Sequence, residues 1–412
     1  TRCIREDPKQ KGLLYAGTES AIYVSFDDGG HWEPLQLNLP RVPIHDIAIK
    51  NDELVAATHG RSFWILDDLT VLHQMTDAVR SAPAHLFTPK PTIRLTLGRG
   101  FRGDPENRRA FHSTGGFVAS YKLVKDKHGD DRTVYLDAGE NTPAGVVVHY
   151  LLKSRPEGEV KLAFLETNGT LIKEFTSQAD DKAKKKGPKV AADAGMNRFV
   201  WDMRYPDAHE VPGAIFWSGG VTGPRAAPGA YQVRLTVNGQ SYTQPFEIKR
   251  DPRIAATDAD LKEQFQLLIE IRDRLSETHD AINNLRTVRG QLDEWVKRAE
   301  GRPMAKQLAD AAEGIKAKLN AVEEELIQFR SKAHEDPLNF PIKLNNKLAS
   351  LSGVVAAADT KPTAQAREVY SELSSKIIDQ LANLREVVNA DVAGFSRLVQ
   401  QAELPAVVLK AD

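Results

Sequence analysis

The feature that most limits what this chain can fold into is a self-similarity near its start, at an offset of about 40 residues. Laid over itself at that spacing, Leu14 meets Leu54, Ala16 meets Ala56, Thr18 meets Thr58, and Asp27-Asp28 meets Asp67-Asp68. Tyr23 and Phe63 coincide as aromatics. The segments LLYAGTESAIYVSFDD and ELVAATHGRSFWILDD thus read as two copies of one strand–turn–strand unit. A period near 40 with strand texture predicts β-propeller blades rather than helical repeats. Propellers close with about four to eight blades, and two blades alone leave unpaired strand edges. Residues 1–76 therefore read as the terminal blades of a propeller whose other blades lie upstream. The chain as a whole reads as the C-terminal piece of a longer protein.

Beyond the repeat the texture changes twice. Over 84–253, strand-like runs fall at 92–97, 133–136, 144–152, 160–166, 171–175, 198–203, 230–237 and 243–248. In YQVRLTV the residues Tyr231, Val233, Leu235 and Val237 share one face. Asn168-Gly169 and Asn238-Gly239 sit between runs as hairpin signals, since type I′ turns need positive φ. Seven or eight short strands at this spacing predict a β-sandwich of immunoglobulin-like type. Residues 98–116 and 177–195 read as exposed loops. The second carries Lys182, Lys184, Lys185, Lys186 and Lys189, but two Asp precede this basic run and no aromatics interleave it, so it reads as solvated chain. From 257 to 402 the pattern is helical and predicts an antiparallel bundle. Thr257 with Asp260 resembles a capping box. Leu261, Phe265, Leu268, Leu275, Ile282, Leu285, Leu292 and Trp295 hold one stripe. Pro303 opens a second helix to about residue 332, a shorter one fits 342–358, and Pro362 sits near the start of the last. The expected fold class is multidomain β plus α: partial propeller, sandwich, bundle.

Lys and Arg number 55 against 56 Asp and Glu, for a net charge of −1. Nucleic-acid and membrane-surface binders recruit a basic excess, so neither partner is expected. No run of about 20 apolar residues exists, so no membrane span is expected. The single cysteine, Cys3, excludes an internal disulfide framework and any multi-cysteine zinc site.

The most specific local pattern is Ser25-Phe26-Asp27-Asp28-Gly29-Gly30-His31-Trp32, which matches S-x-D-x-G-x-x-W. Its physics is that of a hairpin: Ser25 and Asp27 can bond turn backbone, Gly29 supplies positive φ, and Trp32 packs the turn. The aligned unit from Thr58 to Asp68 lacks the glycines and the distal Trp, so it reads as a degenerate copy. Its His59 and Arg61 lie at the strand–strand turn, where a polar pair can face a ligand or brace the turn. Further along come Gly139-Glu140-Asn141-Thr142-Pro143-Ala144-Gly145, the run from Asn197 to Pro206, Pro228-Gly229-Ala230-Tyr231 and Asp251-Pro252-Arg253.

Taken together these motifs resemble the bacterial sortilin/Vps10-like, Asp-box (BNR-repeat) proteins often labelled glycosyl hydrolases. The resemblance covers about 250 residues, and departs from the commoner Asn-Pro-Pro of the first motif at Thr142. It implies a large upstream propeller, export to the periplasm or the cell exterior, and a fold role for the box residues Ser25, Asp27, Gly29 and Trp32.

Glycosidases need two carboxylates about 5–10 Å apart. The pairs Asp27/Asp28, Asp67/Asp68, Asp130/Asp131 and Asp180/Asp181 are adjacent in sequence, and neighbours on a strand point to opposite faces. No nucleotide-binding, zincin, serine-hydrolase or calcium-loop motif occurs. His45, His59, His73 and His85 lack metal-ligand spacing. No catalytic residue, metal site or cofactor is therefore expected. Trp217, among glycines in FWSGG, is the candidate stacking aromatic for a ligand. The leading expectation is a non-catalytic binding or assembly segment that partners the upstream propeller, self-associates through its helices, and meets a carbohydrate or peptide. The alternatives are a supporting part of a secreted glycoside hydrolase acting on polysaccharide and a segment of a sortilin-like peptide receptor.

Overall fold

The computed structural model describes residues 1–95, 110–114, 117–125, 131–136, 139–140, 142–178 and 187–404. The fold is mixed: several antiparallel sheets, then a C-terminal helical region. It divides into a β unit, Thr1–Met203 with Gly229–Lys249, and a helical unit, Arg204–Pro228 with the chain from Arg250.

The repeat forms the first two sheets of the β unit. Strands β1 (Cys3–Glu6), β2 (Leu14–Gly17), β3 (Ile22–Ser25) and β4 (Glu33–Pro34) run as an antiparallel meander. Strands β5 (Ile44–Lys50), β6 (Glu53–Thr58) and β7 (Phe63–Leu66) form a second. Both sheets contribute to one core, with Tyr15, Ile22 and Val24 from the first and Ile44, Ile47, Leu54 and Ala56 from the second. Each fully buried aliphatic side chain of this kind contributes about 1.5–3 kcal/mol.

The copies differ by one residue. Ala16 pairs with Tyr23 in the first sheet and Ala56 with Trp64 in the second. The structural counterpart of Tyr23 is therefore Trp64, not Phe63, because the second turn holds an extra residue. They also end differently. The first continues into the hairpin leading to β4. The second turns into helix α1 (Thr70–His73), where Asp68 Oδ1 accepts from the Thr70 amide at 2.8 Å and its hydroxyl at 2.6 Å. By the same pairing, fully buried Leu69 stands where the first copy has Asp28 at φ +56°, a conformation that bulky side chains rarely adopt. A short α2 (Asp77–Ser81) follows.

Next come β8 (Ala84–Leu86), β9 (Thr92–Arg94), β10 (Ala110–Thr114), β11 (Phe117–Lys125) and β12 (Asp131–Tyr135). They are followed by β13 (Val146–Leu152), β14 (Val160–Glu166), β15 (Leu171–Thr176), β16 (Gly195–Trp201), β17 (Gly229–Val237) and β18 (Gln240–Arg250). One sheet has the order β16-β13-β8, another β15-β14-β17-β18-β9, and β10-β11-β12 form a third. The first two share an aromatic core. Phe164 of β14 stacks on Trp201 of β16 at 4.4 Å, and Trp201 meets Phe246 of β18 edge-on at 6.1 Å. Tyr231, Val233, Leu235 and Val237 of β17 are all buried, as their alternation predicts.

Several sequence expectations are corrected. The loop expected over 98–116 contains β10, paired with β11; its ladder rather than apolar alternation makes it a strand. Residues 98–109 and 115–116 lie outside the described residues, as do Asp130, Asn141 and 179–186 with Asp180, Asp181 and the lysines from 182 to 186. At Asn238-Gly239 both φ are positive, 49° and 78°, as a type I′ turn requires. At Asn168-Gly169 only the glycine is positive, and its amide donates to the Glu166 carbonyl at 2.9 Å, so the turn is a longer type.

In the helical unit, α3 (Asp258–Ala299) spans 42 residues, about 63 Å at 1.5 Å per residue. Thr257 and Asp260 form the capping box. Helix α4 (Ala305–Leu326) stops short of the expected 332, and Pro337 lies in a single 3₁₀ turn. Helices α5 (Leu344–Val355) and α6 (Ala364–Glu386) follow. A π turn over Val387–Val392 interrupts the expected long last helix before α7 (Ala393–Gln401). Among the described residues, no helix is long and apolar enough to cross a membrane. Segment 204–228, expected within the sandwich span, packs instead with the helices: buried Ala208 and Val211 join their core.

Candidate ligand-facing rim

The box residues form a closed hydrogen-bonded hairpin. The Ser25 hydroxyl donates to Asp27 Oδ1 at 2.8 Å and accepts from the Gly29 amide at 2.9 Å. Asp27 Oδ1 also accepts from the His31 amide at 2.8 Å, while Oδ2 lies 2.5 Å from His31 Nδ1. The Trp32 indole donates to the Gly29 carbonyl at 3.1 Å. These bonds hold the Asp27 carboxyl down at about 2, first through the His31 ring, then the His31 amide and the Ser25 hydroxyl; the same ring contact raises His31. All four box residues are thus engaged within their own turn. The Asp68 carboxyl is likewise occupied, by the Thr70 amide and hydroxyl, whereas at Asp67 it is the main-chain carbonyl that accepts, from Lys90 Nζ at 2.9 Å.

His59 and Arg61 lie on the β6–β7 turn, which is tied through β5 to the β2–β3 turn, at the other end of β3 from the box. The β2–β3 turn is braced by Thr18, and the β6–β7 turn, which holds His59 and Arg61, by Thr58. Main-chain bonds tie the two turns to the start of β5: the Ile44 amide donates to the Thr18 carbonyl at 2.9 Å and the His59 amide to Pro43 at 2.9 Å. Between Ile44 and Asp46 the β5–β6 register shifts. The unpaired residue is His45, and bulges of this kind re-aim a side chain. Its ring stacks on His59, centroids 4.9 Å apart and planes 26° from parallel. Glu19 in the neighbouring turn takes a two-pronged contact from Arg2, at 2.6 and 2.9 Å. That contact holds the Glu19 carboxyl below its ordinary value, with further help from the His45 charge. Arg61 folds its guanidinium onto the Gly60 carbonyl at 3.1 Å. This end thus offers two exposed imidazoles and a guanidinium, groups that donate hydrogen bonds to anionic or hydroxyl-rich ligands.

His45 and Glu19 were not singled out by motif. The signal available was the repeat itself, which aligns Glu19 with His59 at the same turn position. Sequence also missed a buried set further in. Asp7 is buried and accepts from Tyr15 OH at 2.9 Å and the Lys9 amide at 2.8 Å, with His73 Nε2 at 2.9 Å. Burial works to raise the Asp7 carboxyl, but those hydrogen bonds, led by His73, bring it below its ordinary value; burial pushes the Tyr15 phenol up. The set ties α1 to β1 and β2 and is closed to ligand.

Trp217 belongs to the helical unit. Its indole, 42% exposed, stacks on His334 at 5.7 Å, and its amide donates to Asn346 Oδ1 at 2.9 Å. Among the described residues, no group of three or more His, Cys, Asp or Glu is arranged to hold a metal ion.

No family model and no curated protein matches this sequence. Among solved structures the chain is similar to one described as pT26-6p, at 11% identity and a TM-score of 0.14, over 63% of this chain and 46% of that one. The chain therefore spans less than half the length of that protein.

Proposed function

We propose that this chain is a non-catalytic binding and assembly segment of an exported Asp-box repeat protein of the sortilin-like type. In this reading residues 1–76 are two adjoining propeller blades, 84–253 span an immunoglobulin-like sandwich, and 257–402 form an antiparallel bundle. The supporting observation is an inequality between matched positions. Ile22 and Val24 of β3 are each 3% exposed, covered by the second sheet. By strand pairing their counterparts in β7 are Phe63 and Ile65, which are 72% and 55% exposed. Val55 and Ala57 pair with Ile65 and Phe63 on that same face. A repeat unit that buries one face on its neighbour and presents the equivalent face open is built to stack onward. The partner that fits is a further sheet of the same repeat.

In this reading the end carrying His45, His59 and Arg61 faces the ligand, a carbohydrate or a peptide. In the helical unit, exposed Trp217 is a separate candidate contact, and it favours a carbohydrate, since sugar faces stack on indole. The test pairs the chain with a separately produced segment of further S-x-D-x-G-x-x-W repeats. Association that Phe63→Lys and Ile65→Lys abolish supports the reading. Absence of any association with a correctly folded partner, by light scattering at about 100 μM, overturns it. Glycan and peptide arrays probed with the complex and with its His59→Ala variant decide the ligand class.

A further inference from the structure

Residues 206–218 lie across the helical unit as an extended strap, and the helices hold it by its backbone. Along α3, Arg272 Nη1 donates to the Pro206 carbonyl at 3.1 Å, and Ser276 Oγ accepts from the His209 amide at 3.2 Å. His279 Nδ1 lies 2.5 Å from the His209 carbonyl, and Asn283 Nδ2 donates to the Glu210 carbonyl at 3.0 Å. The spacing of these four residues, four, three and four, places them on one helix face. On α5, Asn346 Nδ2 donates to the Ser218 carbonyl at 2.7 Å.

The centre of this ladder is the only titratable imidazole in it that is fully buried, His279. A carbonyl can only accept, so Nδ1 carries the proton and Nε2 is the bare nitrogen. Facing Nε2 at 3.4 Å is Asn345 Nδ2, a donor. Asn345 cannot turn its oxygen to the ring cheaply, because Oδ1 already accepts from the Asn346 amide at 2.7 Å. A second proton on His279 would therefore meet a donor, with the Phe216 ring on another side at 6.0 Å. We propose that residues 206–218 form an acid-released strap pinned by His279, which undocks from α3 when that imidazole takes a second proton.

Burial dominates the environment of His279 and lowers its pKa. Around it, the His209 carbonyl, Asp280 of α3 and Glu210 of the strap favour the cation, and the His209 ring opposes it; α5 contributes the neutral Asn345. The docked state holds fewer protons than the open one, so docking is full above the ordinary histidine value of about 6.5 and weakens as pH falls below it. Docked, the strap covers the core with Ala208 and Val211; undocked, it exposes that apolar surface.

The test is hydrogen exchange by mass spectrometry on the whole chain at pH 7.5 and 5.5, corrected for intrinsic chemistry. In the limit where docked His279 stays neutral, the opening constant of strap peptides rises on the order of tenfold over this window, from one extra proton bound in the open form. Peptides of α4 keep theirs. His279→Asn retains an amide donor and does not titrate, so its strap exchanges alike at both pH values. His209→Asn keeps the dependence, which decides the matter independently should the first variant not fold. A wild-type strap indifferent to pH, or a dependence that disappears with His209→Asn, overturns the proposal.

Discussion

Thr18 and Thr58, 40 residues apart in the sequence, make the same two hydrogen bonds in two different turns. Thr18 Oγ1 donates to the Ala21 carbonyl at 2.9 Å and accepts from the Ala21 amide at 3.1 Å. Thr58 Oγ1 donates to the Ser62 carbonyl at 2.6 Å and accepts from the Arg61 amide at 3.2 Å. The second turn is longer by one residue, and Gly60 and Ser62 take φ of 84° and 62° to accommodate it. The hydroxyl is thus the fixed point of the repeat, and the residues beyond it, Glu19 in one copy and His59 in the other, are the variable ones.

Thr58→Val keeps the shape of the side chain and deletes both bonds. Each of Thr18→Val and Thr58→Val is expected to lower the stability of the β unit by about 1 kcal/mol, the ordinary net worth of an intramolecular hydrogen bond. Chemical denaturation followed by tryptophan fluorescence measures it. A shift in one variant and none in the other would break the equivalence of the turns.

Asp27 and His31 give the box a pH signature. The carboxyl is held at about 2 chiefly by the His31 ring, and the ring is raised in return. The carboxylate's contribution is present above its ordinary value of about 3.9 and fades as pH falls toward 2. The imidazolium's contribution is complete below about 6.5 and fades as pH climbs past its raised value. The pair is therefore strongest between about pH 4 and 6.5. In an NMR titration, Asp27→Asn is expected to bring the His31 midpoint down toward 6.5; an unmoved midpoint excludes the contact in solution.

Much of this architecture is legible in the sequence because it is local. The capping box at Thr257 and Asp260, the Gly29 turn and the alternation of β17 each follow from residues within a few positions of one another. What the sequence hides is non-local. The stacking of His45 on His59 depends on a bulge, which no single-strand pattern announces. The counterpart of Tyr23 is obscured because one inserted turn residue reverses which face each later side chain takes. The strap is hidden for a different reason. Lying between two strands of the sandwich span, it shows no helical or strand period, and only the α3 spacing of Arg272, Ser276, His279 and Asn283 marks the surface that receives it.

Two tryptophans separate core from surface. Trp201 is fully buried and stacked on Phe164, so Trp201→Ala is expected to cost about 3–5 kcal/mol and to unfold the β unit at lower urea. Trp217 is 42% exposed against His334, and Trp217→Ala is expected to stay within about 1 kcal/mol of wild type. Equal losses in urea midpoint would mean that Trp217 is a packing residue and not a surface platform.

Glu323 is buried between two arginines, with Arg286 Nε and Arg289 Nη2 each 2.6 Å from its oxygens. Glu323→Ala removes two charge-assisted bonds that link α3 to α4 and leaves the cations facing a cavity. A loss of about 2 kcal/mol in the helical unit is expected, measured by calorimetry. Glu323→Gln should recover part of it, since an amide oxygen still accepts from one arginine.

Gly219 and Gly220 offer the sharpest contrast, because they are adjacent and only one of them is confined. Gly219 has φ +73°, and a β-carbon there would lie 2.1 Å from the Ala349 carbonyl oxygen and 2.3 Å from its carbon. Both atoms are backbone of α5, so no side chain can swing aside. The strap end must lift, and lifting it breaks the Asn346 bonds to the Trp217 amide and the Ser218 carbonyl. Gly219→Ala is therefore expected to cost about 2 kcal/mol or more, combining left-handed backbone strain with overpacking. A β-carbon on Gly220 meets nothing within 4 Å, and Gly220→Ala should fall within about 0.5 kcal/mol of wild type. Denaturation midpoints of the two variants, with hydrogen exchange on residues 214–220, check both halves. A tolerated Gly219→Ala would mean that the strap does not approach α5 this closely.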